Sequence, residues 1–215
     1  MMQTYSVSRG SLMSRVFLGL FASLLFATIG VYAGQFVPPV LVSIAMFAEI
    51  IMIVVAMFLQ RRRTIGYPFV FSFTFISGLT LYPTIAYYTQ TYGSGLVLEA
   101  LGVTAISFLV ASIVASRSSM DFSFLGGFLF IGLIALILMG IVSFFVHFGT
   151  TGQLIYSFIG IAIFIGYILF DVNRLSKYGV AEQYVPWIVL SLYLDIINLF
   201  LFILQFFGVS SNSRR

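Results

Sequence analysis

Apolar residues fall into seven long runs separated by short polar breaks, at approximately 15–36, 39–59, 65–88, 94–115, 122–147, 152–172 and 186–208. At 1.5 Å of rise per residue, each run is long enough to cross about 30 Å of hydrocarbon as a helix. The breaks carry helix-stopping or turn-forming residues: Pro38-Pro39, Arg61-Arg62-Arg63, Tyr92-Gly93-Ser94-Gly95, Arg117-Ser118-Ser119 and Gly149-Thr150-Thr151-Gly152. The pattern predicts an all-α polytopic membrane protein, one domain of seven transmembrane helices over residues 1–215. The longest break, about 173–185, is too short for an extramembrane domain. No internal repeat is visible, so a three-plus-three arrangement around a seventh helix does not follow from the periodicity.

Composition supports this reading. The chain is 61% hydrophobic and 7% charged, whereas a water-soluble domain carries about a quarter charged residues. Without cysteine it has no disulfide, thiolate nucleophile or cysteine metal site, and its one histidine, His147, excludes a multi-histidine centre. The charge of +4 is read as topology rather than nucleic-acid affinity, because the basic residues sit in short loops. Arg9, Arg15, Arg61–Arg63, Arg117, Arg174 and Lys177 all fall on one side, and the loops at 34–38, 89–93 and 147–152 carry no Lys or Arg. A cytosolic N-terminus and a short C-terminal tail outside are therefore expected, with Arg214-Arg215 as the exception. The first apolar run is too long for a signal peptide, so the protein is expected to stay whole in the membrane. Small-residue spacings, Gly30-x-x-x-Gly34 and Ala162-x-x-x-Gly166, favour close helix packing within a monomer over dimerisation.

The six acidic residues differ in depth. Asp121 and Glu182 lie in breaks and are expected to be solvated. Glu99, near the start of the fourth run, is either a helix-start charge or a carboxylate at the mouth of an ion path. Glu49 is ten residues beyond Pro39, near the middle of the second run. No basic residue lies within a turn of it, so it is either protonated and hydrogen-bonded or part of an ion path. Asp171 closes the sixth run, where a helix-end pair with Arg174 is the simple alternative to a functional role. Asp195 has no such partner: it lies about 13 Å along its helix from Pro186, with no charge within two turns. Ser191 and Asn198 share its face and form a polar stripe. An ionisable group at that depth costs several kcal/mol and is by default functional. The sixth and seventh helices run in opposite directions, so Asp171 and Asp195 can meet in the cytosolic half.

The stretch Ser191-Leu192-Tyr193-Leu194-Asp195-Ile196-Ile197-Asn198-Leu199-Phe200 resembles the transmembrane Bax inhibitor motif family, most closely its bacterial members. Tyr167-Ile168-Leu169-Phe170-Asp171, Glu49 and Phe75-Ile76-Ser77-Gly78-Leu79-Thr80 extend the likeness over nearly the whole chain. The resemblance implies helix 7 at the centre of two three-helix groups, and a calcium leak that responds to pH through the paired aspartates. It makes Asp171 and Asp195 the pH sensor and gate, and Glu49 a pore-side carboxylate. It also implies residence in the plasma membrane of a bacterial cell. The family places a basic residue at the cytosolic end of helix 2, where this chain has Gln60 followed by Arg61, Arg62 and Arg63. Which of Arg61, Arg62 or Arg174 reaches an aspartate stays open.

Two carboxyls in a low-dielectric setting favour one shared proton over two charges. The shared proton pins helix 6 to helix 7, and its loss drives them apart. A hard cation such as calcium competes for the same oxygens, with Asn198, Ser191 and Glu49 as supplementary ligands. That incomplete cage suits a permeant, weakly bound ion rather than a resident cofactor, and none is expected. Protons, calcium and the bilayer are the partners this reading implies. A proton-coupled calcium transporter uses the same residues, and a non-transporting membrane stress regulator is the remaining alternative. An intramembrane aspartyl protease fails because Leu192-Tyr193-Leu194 stands where Gly-x-Gly should precede the second aspartate, so no enzymatic activity is expected.

Overall fold

The computed structural model describes residues 9–60, 65–143, 145–146 and 148–212. They form α1 (Arg9–Gly34), α2 (Pro39–Gln60), α3 (Tyr67–Tyr92), α4 (Ser94–Arg117), α5 (Leu125–Ser143), α6 (Thr150–Tyr178) and α7 (Val185–Asn212). Short 3-10 turns at Phe122–Phe124 and Glu182–Tyr184 precede α5 and α7, and no strand occurs among the described residues. All seven helices are long and apolar enough to cross a membrane. With their wide exposed faces of Leu, Ile, Val and Phe, they make this an integral membrane protein.

Helix boundaries follow local chemistry. Pro39 opens α2, where its missing N–H costs nothing. Gly93 (φ +91°) separates α3 from α4, and Gly179 (φ +65°) ends α6, both in backbone conformations that L side chains resist. The helices outrun the apolar stretches. The sixth does not close at Asp171 but continues through Val172-Asn173-Arg174-Leu175-Ser176-Lys177 to Tyr178. Those residues are tolerated in a helix, and nothing breaks it before Gly179, so hydropathy underestimates its length. The fifth stops earlier than its apolar run, at Ser143.

The chain divides into two compact units, one of residues up to Thr84 with Tyr178–Tyr193, the other of Ile85–Lys177 with Leu194 onward. Helices α3 and α7 each contribute to both. Pro83, which removes one backbone hydrogen bond from α3, lies beside that division. Over half of the α7 span (56%) is buried, against 33% or less of any other.

In the first unit α1 crosses α3 with almost no side chain between them. A methyl group built on Gly30 would meet the Phe75 carbonyl, and one on Gly78 would meet the Ala27 carbonyl. The Gly30-x-x-x-Gly34 spacing therefore serves packing inside the chain, with Gly34 seated against Tyr82. Phe26 stacks on Phe71 at 4.8 Å, and Gly19 accommodates Val189 and Tyr67, which brings the start of α7 onto α1 and α3.

In the second unit α6 presents two stripes. Tyr156, Gly160 and Phe164 receive Phe202 of α7, with ring centroids 5.4 Å (Tyr156) and 5.8 Å (Phe164) away. Ile163, Gly166 and Phe170 instead meet Gly132, Leu129 and Gly126 of α5. Steps of three and four residues keep each stripe on one side of the helix, about a quarter turn apart.

Candidate functional site

Helix α7 contributes a carboxyl to the interior. Asp195 is 5% exposed, and its Oδ2 is buried with no hydrogen-bond partner among the described residues. Asp171 continues the stripe of α6 that faces α7, following Gly160, Phe164 and Tyr167 at steps of four, three and four. It is half-buried and lies within electrostatic reach of Asp195. The ring of Tyr167, one turn before Asp171, is within electrostatic reach of both carboxyls. The second unit thus brings the two aspartates singled out in the sequence within electrostatic reach of each other, with Tyr167, the first residue of the stretch that ends in Asp171, in reach of both.

Asn198 turns its amide back to the Leu194 carbonyl at 2.8 Å. Ser191 lies one turn before Asp195 on α7, at the end of that helix assigned to the first unit. Arg174 and Glu99 are exposed. Arg61, Arg62 and His147 lie outside the described residues.

Glu49 belongs to a second polar group, within the first unit. Thr80 of α3 donates its hydroxyl to Glu49 Oε2 at 2.7 Å, and Thr80 Oγ1 is also 2.9 Å from the Ser77 carbonyl. The fully buried Tyr193 sends its hydroxyl toward the Thr74 carbonyl at 3.5 Å, with Ser77 in hydrogen-bonding reach and Glu49 in electrostatic reach. Thr80 stands at the end of the Phe75–Thr80 segment and Tyr193 two residues before Asp195, so both lay within stretches already singled out. Only their hydroxyls' partners were invisible. Glu182, expected to be solvated, pairs with Arg15 at the surface, the two side chains being 64% and 49% exposed.

Two adjacent carboxyls in a buried setting cannot both hold a charge cheaply, because each uncompensated ion costs several kcal/mol. They can share a proton, or be neutralised by a cation taking their oxygens. Among the described residues no three His, Cys, Asp or Glu side chains converge as a metal site. The pair alone offers at most four oxygens, fewer than the six to eight a calcium ion prefers.

The family model "Inhibitor of apoptosis-promoting Bax1" matches residues 9–212. Bax inhibitor 1 of Schizosaccharomyces pombe is 38% identical over 149 residues, 69% of this chain and 54% of that protein. A membrane protein of Vibrio cholerae is 35% identical over 149 residues, 69% of this chain and 66% of the relative. The Golgi anti-apoptotic protein of Vaccinia virus is 34% identical over 173 residues, 80% of this chain and 70% of the viral one. In the yeast and Vibrio proteins the match thus spans less than two thirds of the relative's own length.

Proposed function

The chain belongs to the family of inhibitors of apoptosis-promoting Bax1, and on that premise we propose that it is a pH-sensitive calcium leak gated by Asp171 and Asp195. The observation that carries the reading is Asp195: a buried carboxyl with one oxygen unpartnered among the described residues, beside a second carboxyl, on the span with the largest buried share of the seven. A purely structural position would be filled at lower cost by leucine.

The chemistry runs through the proton. With one proton on the pair only a single charge is buried, α6 stays packed on α7, and the path is closed. Loss of that proton leaves two like charges in a medium that screens them poorly, and α6 is driven away from α7 at the pair. Calcium, as substrate, takes the oxygens the proton has left and moves on, since four ligands hold it weakly. Glu49, held by Thr80, is the further carboxylate of the ion path. The basic loops face the cytosol and the protein acts as a monomer in a bacterial plasma membrane.

Calcium efflux from vesicles containing only the purified protein, measured across a pH series, tests this. Wild type leaks calcium more at higher pH, and Asp195→Asn leaks independently of pH. A pH response of wild-type size in Asp195→Asn overturns the gate. Proton-coupled exchange uses the same residues and requires that each calcium move protons the other way, which a pH dye inside the same vesicles reads. The names of the yeast and viral relatives, Bax inhibitor 1 and Golgi anti-apoptotic protein, favour a second reading, a membrane regulator without transport. An absence of flux from the pure protein at every pH supports it.

A further inference from the structure

Asn173 is 1% exposed and every polar atom of its side chain is bonded. Its Nδ2 donates to the Ala115 carbonyl at 2.9 Å and the Met120 carbonyl at 3.1 Å, and its Oδ1 accepts from the Phe122 N–H at 3.0 Å. One turn on, Ser176 Oγ donates to the Ser116 carbonyl at 3.2 Å and Lys177 Nζ to the Ser119 carbonyl at 2.6 Å. Ala115 and Ser116 close α4, whose last carbonyls have no partner within their own helix. Three side chains of α6 therefore cap the end of α4 and hold the segment leading into α5. Asn173 and Lys177 continue the stripe by which Ile163, Gly166 and Phe170 meet α5.

Asp171 precedes Asn173 by two residues, about 200° of helical rotation; Asn173 sits at the edge of its stripe farthest from α7, so the two lie on nearly opposite sides of α6 although the stripe centres are about a quarter turn apart. Whatever fixes the rotation of α6 at Asn173 fixes the direction in which Asp171 is offered. We propose that Asn173 is a positioning residue of the gate: by capping α4 and the α4–α5 segment it sets the rotation of α6 that holds Asp171 toward Asp195. This rests on the aspartate-gate reading above. Tyr167 on α6 is the titratable group in electrostatic reach of both carboxyls, and the charged residues at the capped end are Arg117, Asp121, Arg174 and Lys177. None of these replaces the amide, whose two donors and one acceptor match three backbone groups.

The test pairs a transport readout with one that does not depend on transport. In vesicles at acid pH, where wild type is closed, Asn173→Ala is expected to leak calcium about tenfold faster, and Asn173→Gln, which keeps donors and acceptor, recovers part of the closure. In lipid nanodiscs, hydrogen exchange of segments 115–124 and 170–177 rises in Asn173→Ala. Unchanged exchange overturns the clamp. Faster exchange with wild-type closure at acid pH overturns the positioning role and leaves Asn173 a structural cap. A wild type without pH-dependent flux overturns the gate and the positioning role together, and exchange then decides the clamp by itself. Should Asn173→Ala fail to fold, Ser176→Ala combined with Lys177→Met removes two of the five bonds and is expected to raise the acid leak about threefold. No rise there overturns the proposal equally.

Discussion

Replacing Asp195 with leucine should stabilise the protein while removing its pH response. Aspartate and leucine have the same branching and the same number of side-chain heavy atoms, so the substitution opens no cavity, although two methyl groups in place of two oxygens add bulk that works against the gain. The carboxyl is 5% exposed and its Oδ2 lacks a hydrogen-bond partner among the described residues. Leaving a buried polar atom unsatisfied costs about 1–3 kcal/mol, and leucine removes that cost. The expected gain is therefore ~1–3 kcal/mol, opposite in sign to most substitutions in a buried helix. Asp195→Asn is the control: it also loses the charge but keeps two buried polar atoms, and should gain at most ~0.5 kcal/mol on the same argument. Thermal unfolding of both variants in one detergent gives the comparison, about 2–4 °C per kcal/mol for a chain of this size. Destabilisation by leucine, or equal melting temperatures for leucine and asparagine, would show that the carboxyl is satisfied in the folded protein and refute the reasoning. Agreement would make Asp195 a position where stability is given up for function.

Other perturbations probe separate links. Asp171→Asn and Asp195→Asn should not combine additively in the pH dependence of flux, because carboxyls that share a proton titrate as a unit; additive effects would separate them. Gly78→Ala puts a methyl against the Ala27 backbone, with Ala27 Cα only 3.0 Å away, and should destabilise by about 1–3 kcal/mol in thermal unfolding. A wild-type melting temperature would show that α1 and α3 do not cross so closely. Thr80→Val keeps shape but removes the donor to Glu49, and should cost ~0.5–1.5 kcal/mol, with Thr80→Ser restoring most of it. Arg15→Gln removes a pair that is half exposed on both sides, so it should cost less than about 1 kcal/mol, and salt should shrink the effect further.

Much of this architecture was legible because the bilayer allows few solutions. A run of about 20 apolar residues has to become a helix, and the punctuation at Pro39, Gly93 and Gly149-Thr150 marks its ends. Depth alone marked Asp195, since a charge ten residues into such a run has few structural excuses. Less was legible where helices outlast their apolar stretch. Asp171 looked like the end of helix 6 because polar residues follow it, yet α6 continues to Tyr178. Hydropathy locates the hydrocarbon, whereas a helix ends only where a residue such as Gly179 permits the turn.

The continuation of α6 changes what the carboxyl pair needs. A carboxylate at a frayed helix end could find its partner by local motion. One held seven residues inside a helix faces wherever that helix is rotated, and rotation is set by packing along its whole length. On α6 the stripe toward α7 ends in Asp171, and the stripe toward α5 ends in Asn173 and Lys177. In the sequence, Asn173, Ser176 and Lys177 read as the polar start of a loop; on a helix, positions i, i+3 and i+4 form one face. That face finds the carbonyls that α4 cannot satisfy itself. A signal of this kind lies in no single motif, since it needs the end of one helix and the side of another. If Asn173 is the positioning residue proposed above, a substitution that releases the capping interaction should release the direction of Asp171 with it.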